Sequence, residues 1–190
     1  MKVGLLGGTF DPIHLGHLRA AENARESLGL DSVVFVPART PPHRKGPLAT
    51  PLDRYAMTAI ATTGHPSFGA SDLELRRDGP SYTVDTVAAW LGEHPEDSVV
   101  LIVGSDTYAE MATWKDPERL ASLCSVAVAA RLGETASESN GTPQRREEIE
   151  GPGLPISSTE VRRRIGAGQS VRYLVPEGVA DYITKRGLYR

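Results

Sequence analysis

Four short apolar runs, almost unbroken and three of them rich in valine, constrain most strongly what this chain can fold into. They cover residues 3–6, 33–36, 99–103 and 126–129. A strand with one face in water alternates apolar and polar residues, whereas an unbroken run is typical of a strand covered on both faces. The runs therefore predict a parallel sheet between layers of helices.

Helix signals separate these runs. Helices are predicted over 15–28, 52–61, 84–91 and 117–123, the second with Thr50 as its cap and Pro51 in its first turn. Ser157 and Glu160 have the spacing of a capping box and start another helix, which ends at Gly166 or Gly168. A last helix opens at Pro176 and closes at Gly187. This alternation predicts an α/β fold of Rossmann type, a doubly wound parallel sheet with helices on both faces and a C-terminal helical segment.

The composition excludes several classes of protein. The chain of 190 residues suits one domain, 1–190, and its net charge of −3 offers no broad basic surface for a nucleic acid. We find no segment of membrane-spanning length and no signal peptide, so we expect no membrane contact and a cytoplasmic location. The polar, glycine-rich stretch 133–153 is predicted to be a mobile surface loop. The oligomeric state is left open, a homo-oligomer included.

The stretch GGTFDPIHLGH, residues 7–17, joins the first predicted strand to the first helix. Such a junction is a favoured place to hold phosphate in α/β folds. Its glycines do not have the G-x-G-x-x-G spacing, and the chain has no P-loop motif. We interpret Gly7-Gly8 as a turn that lets backbone amides approach an anion.

Two histidines, His14 and His17, lie three residues apart at the start of that helix. Residues at this spacing share a helix face, so both rings can point at one ligand. Gly16 between them would let a flat base lie close to the helix backbone. Zinc would need a third ligand, and we predict no metal site made by the protein alone. The alternative for the pair is two surface histidines in a helix cap.

The whole string resembles the H-x-G-H motif of the nucleotidylyltransferase superfamily, and its full form is similar to that of the bacterial nicotinate mononucleotide adenylyltransferases. Later motifs follow in the family's order. They are Pro41-Pro42-His43-Arg44, Gly79-Pro80-Ser81-Tyr82-Thr83-Val84-Asp85-Thr86, Gly104-Ser105-Asp106, Trp114-Lys115 and Ile156-Ser157-Ser158-Thr159-Glu160-Val161-Arg162. Arg44 stands where the family often has lysine, and 133–153 matches poorly.

The resemblance implies adenylyl transfer from ATP to nicotinate mononucleotide, with Mg²⁺ on the ATP phosphates. The implied catalytic residues are His14 and His17. Those implied to bind ATP are Gly8, Thr9, Phe10, Gly16, Gly104, Asp106, Ser157, Ser158 and Arg162. Those implied to bind nicotinate mononucleotide are His43, Arg44, Tyr82, Thr83, Trp114 and Lys115.

Several of these residues have an ordinary structural alternative. Asp106 could cap a helix, Trp114 could pack in the core, and His43 and Arg44 could be plain loop charges. Arg163 and Arg164 are expected on a solvated face. Two other functions compete with the one implied: transfer to phosphopantetheine or nicotinamide mononucleotide, and nucleotide sensing without catalysis.

Overall fold

A computed structural model describes residues 1–41, 48–129, 146–149 and 151–190. Its strands are β1 Lys2–Gly8, β2 Ser32–Pro37, β3 Phe68–Ala70, β4 Ser98–Gly104, β5 Ser125–Ala129 and β6 Arg146–Glu148. Its α-helices are α1 Leu15–Leu28, α2 Pro51–Thr62, α3 Thr83–Glu93, α4 Ser105–Glu110, α5 Pro117–Leu123, α6 Ser158–Gly166 and α7 Glu177–Arg186, and a 3-10 turn spans Met111–Thr113.

The six strands form one parallel sheet in the order β3-β2-β1-β4-β5-β6. The chain winds outward from β1 in one direction and then returns to start again at β4. This is the predicted doubly wound, Rossmann-like arrangement, with α6 and α7 as its C-terminal helical segment. In the described residues, no helix is long and apolar enough to cross a membrane.

Both faces of the central strands are buried, as their unbroken apolar runs predict. In β4, Val99 and Leu101 pack on one side in a cluster that includes Val87 of α3. Val100 and Ile102 pack on the other side in a cluster that includes Val161 of α6. Helices on both faces therefore exclude water from the sheet.

Local capping chemistry accounts for several helix boundaries. Thr50 caps α2 by accepting from the amide of Asp53 at 3.1 Å, and Ser157 caps α6 by accepting from the amide of Glu160 at 3.2 Å. Helix α6 ends at Gly166, the first of the two predicted positions. Gly187 follows α7 with a φ of 63°, which favours glycine.

The prediction of a surface loop over 133–153 is wrong at 146–148, which form β6 beside β5. This strand has three charged residues, so no apolar pattern marks it. Glu147 instead accepts a hydrogen bond from the hydroxyl of Ser125 at 2.8 Å. Residues 130–145 and 150 lie outside the described residues, and the rest of that prediction stays untested.

Candidate active site

The carboxyl ends of β1 and β4 meet at the centre of the sheet. Strand β1 pairs with β2 on one side and with β4 on the other, so the strand order reverses between Gly8 and Gly104. Ligands of open α/β sheets bind outside the strand ends at such a reversal. The two predicted phosphate and ribose motifs therefore share one crevice.

The turn after β1 differs from its prediction. Gly7 and Gly8 are the last residues of the strand, and the left-handed residue is Phe10, with a φ of 47°. Phe10 is buried because its ring turns back beneath Gly8, where a Cβ would lie 2.9 Å from ring atoms. Gly8 is therefore needed for a close approach within the loop, and the interpretation of Gly7-Gly8 as a turn is wrong.

Side chains from two helices hold the backbone of this loop. Arg54 of α2 donates from Nη1 to the carbonyl of Thr9 at 2.7 Å. Arg162 of α6 donates from Nη1 to the carbonyl of Asp11 at 2.7 Å. Ser158 of α6 donates from its hydroxyl to the carbonyl of Pro12 at 2.9 Å. The loop that leads to His14 is thereby fixed at three carbonyl groups.

The imidazole rings of His14 and His17 stack with centroids 3.6 Å apart and planes 22° apart. The edge contact of Phe10 with His17, at 5.1 Å between centroids, encloses the second ring. The amide of His14 donates to Nδ1 of His17 at 3.2 Å. Since that nitrogen accepts, neutral His17 carries its proton on Nε2 and can donate it to a ligand.

Burial, and then the charge of His14, hold the pKa of His17 well below the ordinary value of a histidine. Desolvation disfavours the charged imidazolium, and a second positive ring beside it disfavours it further. His17 is therefore a neutral hydrogen-bond donor near pH 7. The negative charge of an anion bound at the pair would act against both effects, because it favours the charged form of a neighbouring imidazole.

Gly16 has a role that sequence reasoning did not assign. A Cβ at this position would lie 3.0 Å from Nδ1 of His14 and 3.4 Å from the carbonyl oxygen of Leu154. The missing side chain therefore leaves room for the His14 ring as it stacks on His17. Space for a base is not needed to explain this glycine.

The start of α6 lies against the same loop. Arg162 is mostly buried, with 26% of its side chain exposed, and it also comes within 4.0 Å of the Asp11 carboxylate. Arg163 and Arg164 instead pair with Glu160, which places them on the solvated side as expected. Among the contacts of the described residues, only Arg162 of these three arginines hydrogen-bonds the loop before His14.

The second predicted group of residues gathers at the start of α3. Tyr82 caps that helix through its backbone, Thr83 is its first residue, and Lys115 lies 4.9 Å from the centre of the Tyr82 ring. Lys115 also pairs with Asp85 at 2.8 Å. These contacts bring the 79–86 motif and the Trp114-Lys115 motif together on one side of the crevice.

The remaining predicted residues have simpler surroundings. Trp114 is half-buried and packs against the apolar cluster that contains Val99 and Leu101, so part of its ring is covered by protein. Gly104 and Asp106 are exposed at the end of β4 and in the first turn of α4. His43 and Arg44 lie outside the described residues.

Comparison with known proteins agrees with this geometry. The cytidylyltransferase-like family model matches residues 5–164. A probable nicotinate-nucleotide adenylyltransferase of Thermus thermophilus is 48% identical over 190 residues, 100% of both chains. Another, of Dictyoglomus thermophilum, is 42% identical over 194 residues, again 100% of both chains. The chain belongs to the nicotinate-nucleotide adenylyltransferases. It is an enzyme of the nucleotidyltransferase class.

Solved structures agree on the fold. A nicotinic acid mononucleotide adenylyltransferase of Plasmodium falciparum, solved with NaAD, matches with a TM-score of 0.82 at 21% identity and covers 99% of this chain and 97% of its own. The same protein, solved with APC, matches with a TM-score of 0.81 at 21% identity, over 99% of this chain and 96% of its own.

Sequence reasoning missed two residues of this adenylyltransferase site. Arg54 is completely buried and donates to the carbonyls of Thr9 and Arg39, and Asp11 is 5% exposed. Burial lowers the pKa of Arg54, yet three carbonyl acceptors, that of Ala49 included, compensate its charge. An arginine in an amphipathic helix has no local signal for this role, whereas Asp11 lies inside the recognised motif.

Proposed function

We propose that this chain transfers the adenylyl group of ATP to nicotinate mononucleotide, giving nicotinate adenine dinucleotide and pyrophosphate. The observation that carries the proposal is the stacked pair His14 and His17 at the end of β1. The Nε2–H group of His17 is available as a donor, and Arg162 of α6 contacts the loop that leads to His14. Neutral hydrogen-bond donors and a cation, placed where the strand order of the sheet reverses, suit a polyphosphate.

The reaction needs no nucleophile from the protein. An oxygen of the mononucleotide phosphate forms a new bond to the α-phosphorus of ATP. The bond from that phosphorus to its bridging oxygen breaks, and pyrophosphate leaves with the electron pair. Catalysis then consists of placing the two phosphates in line and stabilising the charge that spreads over their oxygens.

Residues from different segments of the chain bind different parts of the two substrates. His14 and His17 donate hydrogen bonds to oxygens of the α-phosphate, where charge develops. Arg162 and the backbone amides of 8–10 hold the outer phosphates. Gly104 and Asp106 bind the adenosine ribose from the end of β4. Tyr82 and Thr83 at the start of α3, together with Trp114 after the 3-10 turn, bind the mononucleotide.

Mg²⁺ is the proposed metal, bound mainly through ATP. Within the described ranges, no three His, Cys, Asp or Glu side chains gather as a metal cluster. Arg162, the cation beside the histidines, suits phosphate oxygens, so this part of the site fits a metal ion that arrives bound to ATP. When bound, the ion would neutralise part of the phosphate charge.

The deciding experiment incubates the protein with ATP, Mg²⁺ and nicotinate mononucleotide and measures pyrophosphate and the dinucleotide. We expect one pyrophosphate for each dinucleotide, and both to form roughly 10²-fold or more slowly in His17→Asn. ATP binding without pyrophosphate release would instead identify a nucleotide sensor. Pyrophosphate released only with another phosphate acceptor would identify a different transferase.

A further inference from the structure

The last residues of the chain reach the loop that carries the catalytic histidines. Gly187 ends α7, and the chain then turns so that the hydroxyl of Tyr189 donates to Oδ1 of Asp11 at 2.7 Å. The two residues are 178 positions apart in the sequence. A residue near the C-terminus is therefore bonded directly to the motif that starts the site.

Asp11 is the point where several segments meet. Its carboxylate accepts from the amides of Leu48 at 2.9 Å and Ala49 at 3.1 Å, besides the hydroxyl of Tyr189. Its backbone carbonyl accepts from Arg162. The position of Asp11 thus depends on the turn before α2, on α6 and on the C-terminal residues at once.

Tyr189 makes this contact from an uncommon backbone conformation. Its φ is 64°, in the left-handed region that residues other than glycine seldom adopt. Burial, and then the bond to Asp11, raise the pKa of its hydroxyl, so the hydroxyl keeps its proton throughout the working pH range. A permanent donor is held in place by an uncommon backbone conformation.

We propose that Tyr189 is a positioning residue for adenylyl transfer: through Asp11 it fixes the loop that places His14 and Arg162. The proposal rests on the proposed function, since it assumes that these two residues act on ATP. Tyr189 itself touches neither reactant. Its effect is to reduce the range of positions open to the loop while the phosphates are brought in line.

The expected effect lies in turnover. Tyr189→Phe keeps the ring and removes the hydroxyl, so Asp11 retains two of its three donors and the loop gains freedom. We expect kcat to fall by roughly ten-fold, since small misplacements in a site are costly to the rate. KM for nicotinate mononucleotide should stay within about two-fold, because Tyr82 and Trp114 belong to other segments.

The chain offers a matched control in Tyr182. Its hydroxyl donates at 2.9 Å to Asp53, a carboxylate only 3% exposed that keeps Thr50 and Arg186 as donors. Tyr182→Phe therefore removes the same group from a buried carboxylate with two remaining donors, but in α2. We expect a similar loss of thermal stability in both variants and a loss of kcat in Tyr189→Phe alone.

A double-mutant cycle tests whether Tyr189 affects kcat through its hydrogen bond to Asp11. If Tyr189 acts through this carboxylate, Tyr189→Phe should lower kcat much less in an Asp11→Asn background than in the wild type. Full additivity, or equal losses of kcat in the two tyrosine variants, would overturn the proposal. Should Asp11→Asn not fold, the comparison of the two tyrosine variants decides alone.

A measurement that does not depend on turnover distinguishes a failure of the positioning role from a failure of the proposed function. Long-range proton–nitrogen NMR spectra report the hydrogen bonds of the His14 and His17 rings. We expect Tyr189→Phe to shift these signals and Tyr182→Phe to leave them in place. Unmoved signals would refute the positioning role, whereas a wild-type protein that forms no dinucleotide would refute the proposed function instead.

Discussion

Arg54 Nη1 donates to the carbonyl of Thr9 across 2.7 Å, from helix α2 to the loop before His14 and His17. The same guanidinium bonds the carbonyls of Arg39 and Ala49, and the side chain is completely buried. One residue therefore ties both ends of the connection between β2 and α2 to the loop after β1, at the carboxyl edge of the sheet. Such a bond set makes Arg54 important for stability as well as for the shape of the site.

Replacing Arg54 with Met should destabilise the fold strongly. The change leaves three carbonyl groups without this donor, and a buried group without its partner costs about 1–3 kcal/mol. We expect a loss of about 3 kcal/mol or more, which lowers Tm by roughly 6–12 °C in a protein of this size. Thermal unfolding followed by circular dichroism measures this shift.

Arg163→Met is the control for that variant. Arg163 bonds only exposed partners in the described residues, Glu160 and Gln169, so its loss should hardly change Tm. Equal decreases of Tm in the two variants would show that the buried hydrogen bonds of Arg54 contribute no more to stability than the exposed ones of Arg163.

Substitutions of His17 should distinguish the roles of its two ring nitrogens. His17→Ala and His17→Asn both lack the outer donor, and we expect kcat to fall by roughly 10²-fold or more. His17→Gln extends an amide towards the position of Nε2, so it should retain more activity than His17→Asn. Steady-state kinetics with folded variants checks the order. Near-normal turnover in His17→Ala would remove this residue from the mechanism.

The lowered pKa of His17 predicts a dependence of stability on pH. Below about pH 6.5 the unfolded state binds a proton at this residue while the folded state does not, so stability is full above that pH and falls as the pH drops towards the folded pKa. We expect His17 to contribute about 1 kcal/mol to the loss of unfolding free energy between pH 7.5 and 5.5.

Urea unfolding at the two pH values measures this contribution. His17→Gln cannot titrate, so its loss of stability should be smaller than that of the wild type. His94→Gln changes an exposed histidine and should leave the wild-type difference intact. An unchanged difference in His17→Gln would show that His17 titrates normally.

Selectivity for nicotinate over its amide should follow from the start of α3. No side chain caps that helix within the described residues, so its first amides and positive dipole end can bind a carboxylate. The amide of nicotinamide would leave such donors unpaired, at about 1–3 kcal/mol each. Two of them give roughly 10²-fold or greater discrimination in kcat/KM.

The test compares kcat/KM for the two mononucleotides under one condition. Lys115→Met should keep most of the preference, because its side chain is already paired with Asp85 while the backbone amides remain. Equal values in the wild type would defeat this assignment and leave adenylyl transfer intact.

Shortening the chain within 135–142 should leave turnover largely unchanged. No predicted site residue falls there, and changes in loop length have small entropic costs. A deletion extended through 146–148 should lower Tm as well, because it removes β6 from the sheet. Loss of activity in a stable, shorter variant would show that this segment takes part in the reaction.

The sequence by itself determined the sheet type, the main helix boundaries and the paired histidines. Each depends on neighbours within a few positions: unbroken apolar runs, the caps at Thr50 and Ser157, and the i,i+3 spacing of His14 and His17. These signals are patterns of side chains over a few consecutive positions, so they can be recognised without knowing which distant residues pack against them.

Only the tertiary structure decided the edge strands and the bonds that hold the site. The three-residue strands β3 and β6 form because a neighbouring strand offers hydrogen bonds, which their own sequences do not specify. The partners of Asp11, Arg54 and Tyr189 lie as far as 178 positions away. A buried polar group takes its partner from whatever the packed chain places beside it, and that choice exists only once the fold has formed.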